Sequence, residues 1–514
     1  MSLIDIKNLS FAYDGSAEKV FDNVSFQIDT GWRLGFTGRN GRGKTTFLKL
    51  LMGELEYTGS ISASVSFDYF PIALHDTARP AAEALAEVVN DGEEWRLRRE
   101  MAMLGLDEAL LDRPFDSLSG GERTKLQLAA MFTNEDDFLL IDEPTNHLDE
   151  AGRERVARYL RRKRGFILVS HDRAFLDGCV DHILSINRAD IEVTQGDFST
   201  WLENKERRDR YELAENDRLK KEIGRLEAAA REKAQWADRA ERAKIGFDPT
   251  RTEKSMGRRA YEGAKSKKSM KRAKAIDRRI QDSIEQKSEL LKNLETADDL
   301  KLSPLRHYSE RLLELRELEI DYGAGAIAQP LSFELRQGQR IALRGGNGCG
   351  KSSVLKLISG ENIPHTGEIW RAGGLKISYI PQDSSFLRGD LRSFARERGI
   401  DESRFKTILR KLDMTRGHFD RDMAGFSAGQ RKKVLIAASL CEQAHVYVWD
   451  EPLNYIDLLS RMQIEELLLN TESTMIFVEH DRAFCDHVAS DSIYMLPDAP
   501  CGAPLRYGIM KARE

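Results

Sequence analysis

The chain has 514 residues and a formal net charge of −5, with 41% hydrophobic and 32% charged residues. This length predicts two or more globular domains, each large enough for its own core. No apolar run approaches the roughly 20 residues of a membrane-spanning helix, and the start lacks the basic and apolar segments of a secretory signal. Five scattered cysteines without metal-ligand spacing favour a reduced, cytoplasmic setting.

Charge is distributed unevenly along the chain. Residues 239–279 contain 15 Lys and Arg against 5 Asp and Glu, so this segment has a net charge of +10 and the remainder has −15. A concentrated basic segment on an acidic body predicts a polyanion partner at that segment. A solvated charged helix is the alternative interpretation of the charge alone.

The first predicted domain spans residues 1–200. Short apolar runs typical of strands lie at 3–6, 24–28, 33–37, 138–141 and 166–169. The run at 33–37 leads into a glycine-rich loop at 38–45, and a helix is predicted from Thr46. A strand, a glycine-rich loop and a helix in this order form the context that a phosphate-binding loop requires.

Segment 201–302 has no strand signals and is predicted to form two antiparallel helices. Apolar residues recur there at spacings of three and four between charged residues, as in a coiled coil. A break near Pro249 separates two such series, which include Leu219, Ile223, Leu226 and Ile276, Ile280, Ile284. We expect a helical hairpin whose loop lies near residues 244–263.

The last predicted domain, residues 303–514, repeats the first at a nearly constant offset of 307 to 309 positions. Chance does not supply four motifs in one order, twice. The motifs are 38–45 and 345–352, Leu118–Glu122 and Phe426–Gln430, Asp142–Pro144 and Asp450–Pro452, and His171–Arg173 and His480–Arg482. The predicted fold is α/β, with two tandem phosphate-loop ATPase domains joined by a long antiparallel helical hairpin.

Each glycine-rich loop is expected to bind nucleotide phosphates through backbone N–H groups and the positive end of the following helix. Its lysine reaches the β- and γ-phosphates, and the hydroxyl after the lysine coordinates Mg²⁺. The candidate ATP-binding residues are Gly38, Asn40, Gly41, Gly43, Lys44, Thr45 and Thr46, and Gly345, Asn347, Gly348, Gly350, Lys351, Ser352 and Ser353.

Carboxylates at the ends of predicted buried strands complete each site. Asp142 and Asp450 are candidate Mg²⁺ ligands together with Thr45 and Ser352. The next residue in each copy carries a carboxylate that can orient or deprotonate the attacking water, and a histidine after the following strand can sense the γ-phosphate. These candidate catalytic residues are Glu143, Glu451, His171 and His480. Buried core acids are the alternative, but an unpaired buried carboxylate is costly.

All of these motifs resemble the ABC ATPase family over nearly the whole of both domains. In that family two domains meet head to tail, and each ATP lies between the phosphate loop of one and the signature of the other. The signature residues implied for ATP binding are Ser119, Gly120, Gly121, Ser427, Gly429 and Gln430. The resemblance also implies adenine stacking on Tyr13 and Tyr322 and a Mg²⁺ ligand at Gln382. Since no Asn-Lys-x-Asp guanine motif occurs, ATP is favoured over GTP.

Two departures from the family pattern predict that the two sites are unequal. Tyr379-Ile380-Pro381-Gln382 matches the family's glutamine loop, whereas the counterpart Tyr69-Phe70-Pro71-Ile72 ends in a side chain that cannot ligate Mg²⁺ or hold water. Ala428 replaces a glycine of the second signature and narrows the room near the γ-phosphate.

Tandem domains around a basic hairpin resemble the ABC-F family, which binds the ribosome and passes its linker toward the P-site tRNA. Ile72, the first phosphate loop and Asp450–Asp457 are similar to the Lsa-type antibiotic-resistance members. That resemblance implies a cytoplasmic, monomeric ATPase that contacts rRNA and P-site tRNA and protects bacterial ribosomes from lincosamides, pleuromutilins and streptogramin A. The implied linker contacts to RNA are Phe247, Arg251, Lys254, Arg258, Arg259, Lys267, Lys268, Lys271 and Arg272.

Three alternative functions remain open at the level of sequence. A general translation factor of the same family would share every motif. The energy subunit of a transporter is disfavoured by the long hydrophilic hairpin. A DNA-repair or chromosome ATPase is disfavoured because in such proteins the coiled coil interrupts one ATPase domain, whereas here it joins two complete ones.

Overall fold

The protein is described by a computed structural model. The described residues are 2–14, 19–86, 88–89, 94–134, 137–187, 190–212, 300, 302–322, 328–495 and 510–511, with a few isolated positions between 214 and 228. The chain divides into two compact units, Met1–Trp201 with Ala297–Glu514, and Leu202–Thr296. In the second unit residues 202–212 are helical. The predicted hairpin loop and every candidate RNA-contact residue lie outside the described residues.

In the first unit, domain 1 denotes the described residues up to 201. Its strands and helices are β1 (Leu3–Phe11), β2 (Phe21–Asp29), β3 (Arg33–Thr37), α1 (Lys44–Leu51), β4 (Thr58–Ser62), β5 (Phe67–Phe70), α2 (Ala81–Leu85), α3 (Glu94–Leu104), α4 (Gly120–Met131), β6 (Phe138–Asp142), α5 (Glu150–Leu160), β7 (Phe166–Val169), α6 (Arg173–Cys179), β8 (His182–Asn187) and β9 (Asp190–Gln195). The strands predicted at 33–37 and 166–169 are confirmed as β3 and β7.

Domain 2 denotes the described residues from 302 onward. It contains β10 (Arg311–Ile320), β11 (Leu331–Arg336), β12 (Arg340–Arg344), α7 (Lys351–Ser359), β13 (His365–Arg371), β14 (Ile377–Ile380), α8 (Leu391–Glu397), α9 (Glu402–Lys411), α10 (Ala428–Cys441), β15 (Val446–Asp450), α11 (Leu458–Leu469), β16 (Met475–Val478), α12 (Arg482–Val488), β17 (Asp491–Tyr494) and β18 (Met510–Lys511). Short 3₁₀ turns accompany these elements at Glu108–Asp112, Phe115–Ser117, Pro144–His147, Arg416–His418 and Met423–Gly425.

The two domains repeat one topology. Each has an antiparallel three-stranded sheet, ordered β2-β1-β4 and β11-β10-β13, and a six-stranded sheet, ordered β5-β6-β7-β3-β8-β9 and β14-β15-β16-β12-β17-β18. In each six-stranded sheet the first five strands of this spatial order pair in parallel. The sixth strand, β9 or β18, pairs antiparallel with its neighbour. The inner strands are buried along nearly their whole length, as expected for parallel strands covered on both faces.

Strand register brings the motifs to one edge of each large sheet. Asp142 pairs with Val169, and Phe36, which lies just before the first glycine-rich loop, pairs with the same valine. In domain 2, Asp450 pairs with Val478 in the same way. Because the carboxyl ends of parallel strands meet at one edge, the loop, the aspartate and the residues after β7 or β16 are held together.

One apolar cluster in each domain joins the small sheet to the large one. In domain 1 it includes Ile4 and Ile28 of the small sheet, Phe36 of β3 and Phe47 of α1, all of them fully buried. This packing fixes the helix that leaves the glycine-rich loop against the sheet edge. Within the described ranges, no helix has both the length and the apolar character needed to cross a membrane.

Candidate functional site

Each glycine-rich loop folds around the ammonium group of its own lysine. Lys44 Nζ donates to the carbonyl oxygen of Gly38 at 2.6 Å, and Lys351 Nζ donates to those of Gly345 and Gly346 at 2.9 and 2.8 Å. Both lysines are buried. We call the region around loop 38–45 site 1 and the region around loop 345–352 site 2.

Glycine is required where each loop enters its helix. Gly43 and Gly350 precede α1 and α7 with φ of 96° and 86°, in the left-handed region that side chains disfavour. A Cβ on Gly43 would also lie 2.4 Å from Val20 Cγ1. Gly41 and Gly348 share a φ of 81°. The two loops therefore have nearly the same backbone, which leaves N–H groups exposed toward a phosphate.

A hydroxyl and an aspartate meet behind each loop. Thr45 Oγ1 donates to Asp142 Oδ2 at 3.0 Å, and Ser352 Oγ donates to Asp450 Oδ1 at 3.1 Å. Asp450 Oδ2 is buried and accepts no hydrogen bond from any described residue. Burial raises the pKa of Asp450 to about 6 and also raises that of Asp142. An oxygen donor set with an unsatisfied buried carboxylate oxygen fits a Mg²⁺ ion.

The glutamate after each aspartate has unusual backbone geometry. Glu143 has a φ of 52° and Glu451 a φ of 46°, in the left-handed region where non-glycine residues are uncommon. Their backbone N–H groups donate to the carbonyl oxygens of Val169 and Val478 at 2.9 and 3.0 Å. These bonds hold the turn in place, and strain of this kind is concentrated at functional sites.

In site 2 the glutamate side chain is surrounded by donors. Glu451 Oε2 accepts from Gln382 Nε2 at 2.9 Å and from Asn454 Nδ2 at 2.7 Å, and His480 Nε2 lies 3.2 Å from Oε1. Burial opposes the charge, but the bonds from His480 and Gln382 and the charge of Lys351 hold the pKa of Glu451 at about 2. Glu451 is therefore ionised.

In site 1 the corresponding glutamate lacks most of these donors. Ile72 stands where site 2 has Gln382, and His171 Nε2 lies 3.1 Å from Glu143 Oε1 without hydrogen-bond geometry. Burial, together with the charge of Asp142, raises the pKa of Glu143 to about 8. Burial also lowers the pKa of His171 well below its ordinary value, so this imidazole is neutral.

Each glycine-rich loop meets the opposite domain. Asn40 Nδ2 donates to the carbonyl oxygen of Tyr455 at 2.8 Å, and a Cβ on Gly429 would lie 2.5 Å from that oxygen. On the other side, Asn347 Nδ2 donates to the carbonyl oxygen of His147 at 3.4 Å. The two domains thus face each other head to tail, with loop 38–45 beside the second signature and loop 345–352 beside the residues that flank the first.

The signature motifs begin helices α4 and α10. Ser119 and Ser427 are the N-cap residues, and each forms a capping box with the residue three positions later. A Cβ on Gly121 would lie 3.2 Å from the His147 carbonyl oxygen, so glycine permits close approach of the two segments. Gln430 completes the second capping box. Ala428 is the first residue of α10.

The predicted adenine-stacking residues lie next to the loops. Tyr13 Oη lies 2.7 Å from Thr46 Oγ1, and Tyr322 Oη donates to Ser353 Oγ at 3.0 Å. Both tyrosine side chains are exposed. The structure therefore brings together the loop, aspartate, glutamate and histidine of each motif set and places Gly429 beside Asn40. The linker residues proposed for RNA contact lie outside its described part.

The sequence analysis assigned no role at these sites to three residues that the structure places there. Tyr69 Oη donates to Asp142 Oδ2 at 3.0 Å, and Asn454 donates to the glutamate of site 2. Lys432 is buried, and its Nζ donates to the carbonyl oxygens of Pro381 and Glu451 at 3.1 and 3.0 Å. Aligning the two repeats residue by residue gives the signal for Lys432, because domain 1 has threonine at that position.

Comparison with known proteins agrees with this geometry. A family model described as ABC transporter matches residues 21–146 and 328–454. The chain is 26% identical over 495 residues to the ribosome protection protein VmlR of Bacillus subtilis (strain 168), covering 96% of this chain and 86% of that protein. It is 27% identical over 523 residues to the probable ATP-binding protein YheS of Escherichia coli (strain K12), covering 93% and 76%.

Solved structures support the same fold. An archaeal ribosome recycling factor, aABCE1, solved in complex with the ribosomal stalk protein aP1, matches with a TM-score of 0.61 and 20% identity, covering 95% of this chain and 87% of that one. At this identity the match shows the fold alone. Motifs, fold and family model agree: the chain carries two tandem ABC transporter-type ATP-binding domains and is an ATP hydrolase.

Proposed function

We propose that this chain is a cytoplasmic ABC-F ATPase that protects the bacterial ribosome from antibiotics of the peptidyl-transferase centre. One observation carries the proposal: the similarity to the ribosome protection protein VmlR runs through both ATPase domains and the segment between them, over 96% of this chain. The proposed partners are rRNA and the P-site tRNA, and the proposed drugs are lincosamides, pleuromutilins and streptogramin A.

The proposed ATP chemistry follows from the two sites. Lys44 and Lys351 bind the β- and γ-phosphates, and backbone N–H groups of each loop position them. The hydroxyl and aspartate behind each loop, with Gln382 in site 2, would hold Mg²⁺, which would neutralise phosphate charge. Glu451, ionised and bonded by an amide on Oε2, orients the attacking water and accepts its proton. We propose the same role for the ionised form of Glu143, which is the minor form at neutral pH because its pKa is raised to about 8. We propose γ-phosphate sensing for His171 and His480.

Head-to-tail contacts explain how ATP would drive a mechanical change. Each loop already touches the opposite domain through Asn40 and Asn347. A γ-phosphate between the lysine of one domain and the capped signature helix of the other adds attraction to both, because a helix N-terminus favours anions. ATP would then hold the domains closed, and hydrolysis would release them. In the proposal, closure inserts linker 201–302 near the P-site tRNA.

The first test uses the variant Glu143→Gln, Glu451→Gln, which keeps the shape of both sites but removes both carboxylates. We expect this variant to pellet with bacterial ribosomes when ATP is present and to remain in the supernatant without it. Deletion of residues 239–279 should abolish pelleting. Lys44→Ala with Lys351→Ala should remove the effect of ATP, so that the amount of protein pelleted with ribosomes is the same with and without ATP or is zero in both. No pelleting of the variant with ATP would sink the ribosome proposal.

The drug-protection step is tested in cells. Expression of the native chain in a susceptible bacterium should raise tolerance to a lincosamide and a pleuromutilin, and expression of the double glutamine variant should not. Ribosome pelleting without any change in tolerance would instead favour a general translation factor. That alternative predicts altered elongation in the absence of drug when the protein is lost.

A further inference from the structure

Helix α5 and the turn after it carry a dense basic surface on domain 1. Residues 155–164 include five arginines and one lysine and no acidic residue. All five arginines are exposed. Arg155 and Arg158 are three residues apart on one face of α5, and Arg162 and Arg164 lie in the segment that follows the helix. Within the described part of the chain, no acidic side chain forms an ion pair with Arg158, Arg162 or Arg164.

Helix α3 adds an aromatic ring to the same surface. Glu100, which is fully buried, accepts from Arg99 on one carboxylate oxygen and from Lys163 on the other, at 2.9 and 2.5 Å. The guanidinium of Arg99 lies 5.6 Å from the ring centroid of Trp95, and this tryptophan is 58% exposed. At the other end of α3, Arg155 Nη1 donates to the Gly105 carbonyl oxygen at 3.4 Å.

These contacts define one patch, which we call the arginine–tryptophan surface: Trp95, Arg99, Arg155, Arg158, Arg162 and Arg164. Glu154 is the single acid among residues 151–164, and α3 contains three arginines and two glutamates, so positive charge dominates the surface. The chain as a whole is negatively charged, which makes the local excess of cations more distinctive.

The fold itself does not require this charge. The repeat places Gln463, Glu466, Asn470 and Glu472 of domain 2 at the positions of Arg155, Arg158, Arg162 and Arg164. In domain 2 the same helix, α11, therefore presents neutral and acidic side chains. Because domain 2 keeps the same fold without these arginines, the fold does not explain their presence in domain 1.

We propose that the arginine–tryptophan surface is an RNA-binding site, separate from the linker, that grips the RNA backbone. Arginine guanidinium groups pair with phosphate oxygens, and several exposed arginines close together on α5 and the segment after it suit the repeating charge of a nucleic-acid strand. An exposed tryptophan flanked by arginine provides a platform on which an unpaired base stacks. This inference rests on the proposed function, because the RNA would be ribosomal.

The test compares two matched triple variants in the Glu143→Gln, Glu451→Gln background with ATP. One carries Arg158→Gln, Arg162→Gln and Arg164→Gln, and its control carries Glu466→Gln, Asn470→Gln and Glu472→Gln. Binding to 70S ribosomes and to a fluorescein-labelled RNA stem-loop is measured from 50 to 300 mM KCl. We expect the arginine variant to bind both at least ten-fold more weakly, with a salt slope reduced by about two to three. The control should stay within about three-fold of the parent.

Separate outcomes test the surface and the proposed function. If the parent pellets with ribosomes and the arginine variant binds equally well, the RNA site is wrong and the ribosome proposal stands. If the arginine variant loses ribosomes but keeps the stem-loop, the partner is a protein and the RNA site is again wrong. If the parent ignores ribosomes, the proposed function fails, and loss of stem-loop binding in the arginine variant alone still supports the RNA site.

A single substitution addresses the stacking ring. Trp95→Ala should weaken stem-loop binding by about ten-fold while leaving the salt slope unchanged, because stacking carries no charge. A reduced slope with this variant would contradict a stacking role. Thermal denaturation and the affinity for ATP should match the parent in every variant. The same surface substitutions in the native chain should leave ATP turnover without ribosomes unchanged, which shows that the fold and both nucleotide sites are intact.

Discussion

Site 1 and site 2 share their motifs but differ in what surrounds the proposed catalytic glutamate. In site 2, Glu451 is bonded by Gln382 and Asn454 and lies beside His480, and its pKa is held at about 2. In site 1, burial and a neighbouring carboxylate raise the pKa of Glu143 to about 8. The two loops themselves have nearly the same backbone. The inequality therefore arises from residues outside the shared motifs.

Two buried residues extend the polar network of site 2. Lys432 joins the loop at Pro381 to the backbone of Glu451, and Glu479 Oε1 accepts from the Leu453 backbone N–H at 2.8 Å. The repeat places Thr124 and Ser170 at their positions in domain 1. Site 2 is thus tied to its surroundings by charged groups where site 1 has hydroxyls. We infer that the two sites differ in turnover and in stability.

The largest expected effect separates the two glutamates. Glu451→Gln should lower steady-state ATP turnover by roughly 10² to 10³, because a positioned general base contributes an effect of that order. Glu143→Gln should lower it by less than about ten-fold, because the raised pKa of Glu143 leaves its carboxyl mostly protonated at neutral pH and therefore a poor base. Phosphate release at saturating ATP measures both. Equal losses of turnover in the two variants would contradict the inference that site 1 and site 2 are unequal.

The next effect concerns the buried lysine of site 2. Lys432→Met keeps the volume but leaves several carbonyl oxygens without their donor, and each buried unsatisfied group costs about 1–3 kcal/mol. We expect the melting temperature to fall by about 4–8 °C, the shift that corresponds to about 2 kcal/mol in a domain of this size. Thr124→Val is the matched control in domain 1 and should shift it by about 2 °C or less. A larger shift in the control would refute the special role of Lys432.

A pH-dependent effect is expected at Glu479. Burial raises the pKa of Glu479 from an ordinary 4.5 to about 7. As pH rises, the unfolded chain therefore loses this proton at a lower pH than the folded protein does. Native stability should therefore decline between about pH 4.5 and 7, by on the order of 3 kcal/mol. Glu479→Gln, which stays neutral, should match the native melting temperature at pH 5 and exceed it at pH 8. A constant difference across this range would show that Glu479 does not titrate there.

The smallest expected effect compares two tyrosines at equivalent positions. Tyr69 Oη donates to Asp142, whereas Tyr379 Oη is buried and has no hydrogen-bond partner among the described residues. Tyr69→Phe should destabilise domain 1 by about 1 kcal/mol, and Tyr379→Phe should be neutral or slightly stabilising. Differential scanning calorimetry of the two variants measures both changes. Equal destabilisation by Tyr379→Phe and Tyr69→Phe would contradict this comparison.

Much of the nucleotide site could be predicted from the sequence because it depends on local rules. The order of strand, glycine-rich loop and helix places Lys44 and Thr45 whatever the rest of the chain does. The carboxyl ends of adjacent parallel strands then bring Asp142 to the same edge. Lys432 could not be predicted in this way, because its acceptors are carbonyl oxygens 51 and 19 positions away along the chain.

The sequence by itself determined the duplicated motifs, the strands that carry them and the absence of a glutamine at Ile72. The tertiary structure decided which groups are charged and which loop meets which signature. Asn40 contacts a carbonyl 415 positions away, a pairing that depends on how two finished domains meet. Likewise, Glu143 and Glu451 occupy identical motifs but differ in charge. Glu143 is buried with few hydrogen-bond donors, which favours its protonated form, whereas Glu451 is buried among donors, which favour its anion.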